Sequence, residues 1–197
     1  MKSEWIHKIL EADKEISQED ILALFRFQYG NNTLYKQFAD ALCIDPSKVD
    51  TITQIPFLPV QFFKSHEITT TSFLPEAVFE SSGTTGSVNS RHLVREPDVY
   101  RRAFTRGFRG CYGQPSDWCI IGLLPSYLER SHSSLVVMVN ELIKLSGHAK
   151  SGFYLNEYEV LNDTLQVLEK AGQKTWLIGV SFALLDFAEQ YPAHLRH

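Results

Sequence analysis

Through the first fifty residues, apolar side chains recur at helical spacing. Trp5, Ile6, Ile9 and Leu10 form one such set. Ser17, followed three residues later by Asp20, has the form of a capping pair that opens a second set, Ile21, Leu22, Leu24 and Phe25. A third set, Leu34, Tyr35, Phe38 and Leu42, stops before Asp45-Pro46, because proline disfavours helical geometry in the residue ahead of it. From Ile55 the texture changes. Pro56 and Pro59 stand three apart in an apolar stretch and exclude a central strand, so residues 55–60 read as a rigid extended connection. Alternating segments follow, and the pattern predicts strands over 68–73, 77–80, 92–94, 118–124, 152–155 and 176–180.

Helical patterns lie between the later strands. Pro97 suits the first turn of a helix whose apolar side is Val99, Tyr100, Ala103, Phe104 and Phe108. Asn156 with Glu159 reads as a second capping box, ahead of Leu161, Leu165 and Leu168. Strand alternating with helix implies an α/β fold: a helical N-terminal segment, then a mostly parallel sheet with helices on both faces. The continuous apolar run from Cys119 to Leu124 fits a strand buried on both sides.

Composition narrows the classes. With 197 residues, 44% of them hydrophobic, the chain can build a core without staples. Its apolar runs, such as Leu135 to Val139, fall far short of the roughly 20 residues of a membrane span. Met1 to Asp20 contains no signal-peptide stretch, so the expected location is cytoplasmic. Cys43, Cys111 and Cys119 are an odd number without a CxxC pair, which argues against disulfides and a cysteine zinc site. A net charge of −4 provides no overall positive field for nucleic acid.

The chemistry concentrates at Ser82, Gly83, Thr84, Thr85 and Gly86, small residues in the midst of strand-like sequence. Glycine in a sheet region costs backbone entropy, so two here imply a positional need such as close approach of the backbone to a ligand. Inward-turned N–H groups and hydroxyl donors suit a polyphosphate. A polar hairpin turn is the plainer alternative. No lysine follows Gly86 before Lys144, which excludes a Walker loop, and GxGxxG is absent.

Ser82-Gly83-Thr84-Thr85-Gly86 resembles the phosphate loop of the AMP-forming adenylating enzymes, the acyl-CoA synthetase, luciferase and adenylation-domain superfamily. Residues 55–64, upstream, and 124–135, downstream, sharpen the likeness to the acyl-protein synthetase branch of bacterial luminescence systems. The resemblance implies ATP and Mg²⁺ as cofactors, a fatty or related carboxylic acid as substrate, and an acyl-adenylate passed to an acceptor protein or reductase. It assigns the loop to the β- and γ-phosphates. The family loop continues with proline and lysine, where this chain has Val88 and Asn89, so Arg91 is the first cation available to replace the lysine. Family chains are longer, and the segments for adenine and the catalytic lysine have no counterpart before His197. The resemblance therefore implies an incomplete adenylating-enzyme N-terminal domain that works with a missing C-terminal part of its own chain. Residues 1–50 are then a helical segment packed as one domain with a nucleotide-binding portion, 51–197.

Other candidates stand beside it. His132 follows the buried strand and opens a helix, so it reads either as a residue bordering the carboxylate pocket, as the resemblance implies, or as a solvent-facing cap. Gly179-Val180-Ser181-Phe182-Ala183 approximates a nucleophile elbow and raises a serine hydrolase or acyltransferase using Ser181. Asp186 lies too near in the same helix for a triad, and the expected role of Ser181 is to cap that helix. Arg101, Arg102, Arg106 and Arg109 form a solvated face open to an anionic partner. Cys111 and Cys119 are expected to be packing residues. Three function classes follow: the adenylating ligase, a noncatalytic binding or assembly module that retains the fold, and the hydrolase.

Overall fold

A computed structural model of the protein describes residue 10 and residues 16–81, 89–124 and 132–196. They form an α/β fold that divides into two compact units, Met1–Val99 and Tyr100–His197. The expected helix around Trp5, Ile6 and Ile9 lies outside the described residues.

In the first unit, helix α1 (Gln18–Asn31) opens as the sequence predicts. The Ser17 hydroxyl accepts from the Asp20 N–H at 3.1 Å and donates to the Asp20 carboxylate at 2.9 Å. Asn32 then closes one helix and opens the next. Its N–H donates to the Gln28 carbonyl, and its side-chain oxygen accepts from Tyr35 N–H at the start of α2 (Thr33–Ala41). Leu22, Phe25, Tyr35 and Val49 form the core beneath, with Phe25 and Tyr35 edge to face at 6.2 Å. Burial pushes the Tyr35 phenol above its ordinary pKa, so it remains a donor, and it ties the Pro56 carbonyl to the helices at 2.7 Å. Residues 55–60 contain no strand, as their prolines require, and run into a short helix, α3 (Phe62–Ser65).

The predicted strand over 68–73 does not form. Thr71 is in the left-handed region at φ 68° and donates its N–H to the Asn31 carbonyl, so the segment bends toward the helices instead of pairing. Beyond it, β1 (Ala77–Glu80) and β2 (Arg91–Val94) pair antiparallel from Ala77 opposite Val94 to Glu80 opposite Arg91.

In the second unit, α4 (Pro97–Tyr112) begins at the expected proline. Strand β3 (Cys119–Leu123) is buried at every position and lies between two parallel neighbours, β4 (Gly152–Phe153) and β5 (Thr175–Gly179), in the order β4-β3-β5. Side-chain alternation divides it between two faces. Cys119, Ile121 and Leu123 pack on Leu161, Leu165 and Leu168 of α6 (Tyr158–Lys170) and on Ala183 and Phe187 of α7 (Ser181–Gln190). Ile120 packs on Phe108 of α4 and Leu142 of α5 (Ser134–Ser146). Helices therefore cover both faces, as expected.

Two predicted caps are corrected. Asn156 does not cap α6, which starts after Glu157. The Glu157 carboxylate takes the Leu155 N–H at 3.0 Å, pulling the chain turn one residue later. Ser181 is the first residue of α7, not its cap, and makes no capping hydrogen bond.

Gly179 holds β5 against β3: a Cβ there would stand 2.7 Å from the Leu123 carbonyl oxygen. Gly179→Ala is expected to cost about 1–3 kcal/mol through backbone displacement, read as a lowered midpoint in thermal unfolding. Lys36 of α2 and Tyr29 of α1 donate to Asp40 of α2 and hold its carboxyl below the ordinary value. A depressed acid stabilises the fold above its unfolded pKa and loses that contribution as pH falls through the folded value. The melting difference between wild type and Asp40→Asn should accordingly be present near neutrality and vanish below the usual carboxylate range of about 4.

Candidate functional site

Strands β1 and β2 flank the glycine- and hydroxyl-rich segment in the sequence. Ser81 N–H donates to the Ser90 carbonyl at 3.1 Å, and Ser90 N–H donates to the Ser81 hydroxyl at 3.1 Å, closing the base of the loop. Ser82, Gly83, Thr84, Thr85 and Gly86 themselves lie outside the described residues. An antiparallel strand follows this loop where a helix follows a Walker or dinucleotide loop, so any anion binding here draws on loop amides and hydroxyls and not on a helix dipole. Arg91 opens β2 and is half exposed, with Nη1 3.2 Å from Glu67 Oε1. An exposed pair of this kind contributes about 0–1 kcal/mol, so the guanidinium can be drawn to another anion at little cost.

A pocket of about 520 Å³ opens in the same unit, a feature that the sequence patterns do not announce. Its walls come from α1 and α2, the proline-containing connection, Phe63 of α3, the bent segment 68–73, and His92 and Leu93 of β2. The lining is mostly aliphatic and aromatic. Gln28, Asn32, Tyr35, Thr69, Thr70 and His92 supply the polar atoms, and no Asp, Glu, Lys or Arg takes part among the described residues. One signal pointed toward it: the apolar alternation of Ile68 to Phe73, which lines this pocket instead of a sheet.

In the second unit, His132 and Ser181 sit at one edge. Each lies in the segment leaving the carboxyl end of a strand, β3 or β5, and these strands are adjacent and parallel. From β3 the chain proceeds to α5 on one face, and from β5 to α7 on the other, which makes this edge a topological switch point. His132 is exposed. The cap of α5 is its neighbour Ser133, whose hydroxyl accepts from Val136 N–H at 3.3 Å, which corrects the cap reading of His132.

No hydrogen bond or ion pair joins Ser181 to Asp186 or His194 among the described residues. Arg101, Arg106 and Arg109 are exposed and Arg102 is partly buried. Cys119 is buried, and burial raises its thiol pKa. Cys111 is exposed, contrary to the packing role expected of it, because it falls on the outer side of the last turn of α4. Among the described residues no three His, Cys, Asp or Glu side chains gather into a metal site.

A family model described as acyl-protein synthetase, LuxE, matches residues 2–172. The chain belongs to this family. No curated protein and no solved structure matches it. Membership gives the LuxE-family chain an acyl-activating ligase function, with a protein as acyl acceptor, and a synthetase of this kind implies the use of ATP. The matched residues include the hairpin, the pocket, β3 and His132. They end ahead of β5, so the elbow-like segment at Ser181 lies outside them.

Among the described residues no helix is long and apolar enough to cross a membrane. Ser181→Ala is expected to change stability by no more than about 0.5 kcal/mol, as for an exposed residue without a partner. Neither protein should hydrolyse a p-nitrophenyl ester above background; turnover that disappears in the variant would restore the hydrolase.

Proposed function

We propose that the chain is the nucleotide-binding part of an ATP-dependent ligase that activates a fatty or related carboxylic acid as its acyl-adenylate. A carboxylate oxygen attacks the α-phosphorus of ATP, the bond to the bridging α–β oxygen breaks, and pyrophosphate leaves. A nucleophile on the acceptor protein, a reductase in this reading, then attacks the acyl carbon and releases AMP.

Ser82, Gly83, Thr84, Thr85 and Gly86 hold the β- and γ-phosphates, stabilising charge on the departing pyrophosphate. Arg91 supplies the cation that the family loop takes from lysine. His132 borders the carboxylate. Mg²⁺ arrives with the nucleotide, since magnesium in such sites is held largely by substrate phosphates and water. The adenine contacts and the catalytic lysine come from further segments of the same chain.

The observation that carries this reading is the hairpin itself. Its strands pair in register up to Ser81 and Ser90, the sequence between those two residues is rich in glycine and hydroxyl side chains, and Arg91 follows as a cation. Family membership supports it independently.

Equilibrium titration with Mg-ATP tests the reading. Binding is expected for the wild type, and roughly tenfold or greater weakening for Thr84→Val/Thr85→Val and for Arg91→Ala, in line with about 1.5–3 kcal/mol for a hydrogen bond to a charged group. Acid-dependent pyrophosphate exchange by a chain carrying the further segments separates the ligase from the noncatalytic module. If neither chain binds Mg-ATP, the nucleotide role is wrong.

A further inference from the structure

We propose that the pocket of the N-terminal unit receives the hydrocarbon tail of the carboxylic acid, and that Leu24, Ile68 and Phe73 set the chain length accepted. The proposal rests on the fatty-acid reading above and adds the place where the tail goes.

The first argument is charge. The pocket has the volume of a small-molecule site, about 520 Å³ against a usual range of about 300–1,000 Å³, and yet no Asp, Glu, Lys or Arg lines it among the described residues. A buried ion without a partner is strongly disfavoured. Phosphates and the carboxylate head group therefore stay outside, and what enters is uncharged.

The second argument is the accounting of polar atoms. The Tyr35 hydroxyl donates to Pro56 O, and Asn32 Oδ1 accepts from Tyr35 N–H, which fixes the orientation of that amide. Asn32 Nδ2 is then turned to the Thr70 hydroxyl at 3.5 Å, and Thr70 in turn donates to Gln28 Oε1. Asn32, Tyr35 and Thr70 are thus engaged within the wall itself. The Gln28 amide nitrogen, the Thr69 hydroxyl and the His92 ring keep no protein hydrogen-bond partner among the described residues. A ligand meets a few neutral polar groups in a lining that is otherwise aliphatic and aromatic.

The third argument is strain beside the pocket. Thr71, a β-branched residue, is in the left-handed region, and its buried hydroxyl has no hydrogen-bond partner. Both features are costly, and such costs persist where binding geometry requires them. Here the bend at Thr71 keeps the segment out of the sheet and lets Ile68, Thr70 and Phe73 line the pocket.

Finally, the hairpin connects the two sites. His92 and Leu93 line the pocket, while Ser90 on the same chain closes the base of the proposed phosphate loop. At about 3.4 Å per residue the two lie within roughly 10 Å along the strand. A tail in the pocket thus leaves the carboxylate near the end of the hairpin where the phosphates are proposed to bind.

The test uses the 197-residue protein without nucleotide, with saturated acids displacing fluorescent cis-parinaric acid. Affinity should rise about fourfold per methylene until the pocket is full, and then level off. Leu24→Trp and Ile68→Trp are expected to move that plateau to shorter acids and weaken the longest at least tenfold, with the shortest unchanged. Phe73→Leu, which enlarges the pocket and guards against a misfolded tryptophan variant, should move the plateau to longer acids. Circular dichroism melts establish that each variant is folded. No displacement by any acid, or chain-length profiles identical in folded variants and wild type, overturns the proposal. Mg-ATP titration of the wild type is scored separately: acid binding without nucleotide binding sinks the nucleotide reading and leaves the pocket standing, and the converse result sinks the pocket alone.

Discussion

The second unit is governed by a strand that has no face toward water. Cys119, Ile120, Ile121 and Leu123 are each fully buried, so β3 requires a neighbour on either edge and helices above and below. The order β4-β3-β5 follows from this need, since the chain leaves β3 to one side and must return to the other. Returning puts α5 on the face of Ile120, and α6 and α7 on the face of Ile121. A switch point at the carboxyl edge is the geometric result. His132 and Ser181 share that edge because the core demands this path, whatever chemistry either performs.

The first unit is organised by polar atoms more than by a sheet. Asn32 ends α1 and begins α2 with a single side chain, and the same amide continues to Thr70. Removing that side chain would leave the N–H of Tyr35 at a helix N-terminus without its acceptor and the Thr70 hydroxyl without its donor, and buried polar networks are costly when only partly satisfied. Tyr35, one turn on, adds the tie to Pro56. These bonds brace two helices and two irregular segments around an apolar space that would otherwise be expected to collapse.

What the sequence made legible was local or continuous. Ser17 with Asp20, Pro97, the buried run after Trp118 and both hairpin strands carry their signals within a few residues. The failures share a different cause. Ile68 to Phe73 alternates as a strand does, but period-two burial arises equally when a bent segment turns one side to a pocket. Asn156 and Ser181 have capping chemistry at almost the right place, and a neighbouring Glu157 or Val180 took the cap position by a shift of one residue. The pocket was hidden because its walls come from four separated stretches of chain, none of which differs from ordinary core sequence.

An acid ligase must bring together two groups that repel, a carboxylate and a triphosphate, while holding a tail that shuns both. In the proposed arrangement those demands are separated along one hairpin. The pocket, with no Asp, Glu, Lys or Arg among its described lining residues, contributes binding energy that is little affected by salt. The exposed end contributes the electrostatics, where Arg91 is held by Glu67 in solvent and is not locked in the interior. A cation buried in a fixed pair would be expensive to redirect, whereas a screened surface pair exchanges its partner for little. Under that proposal, Arg91 at the start of β2 and outside the apolar wall lets one short hairpin serve both ends of an amphipathic substrate.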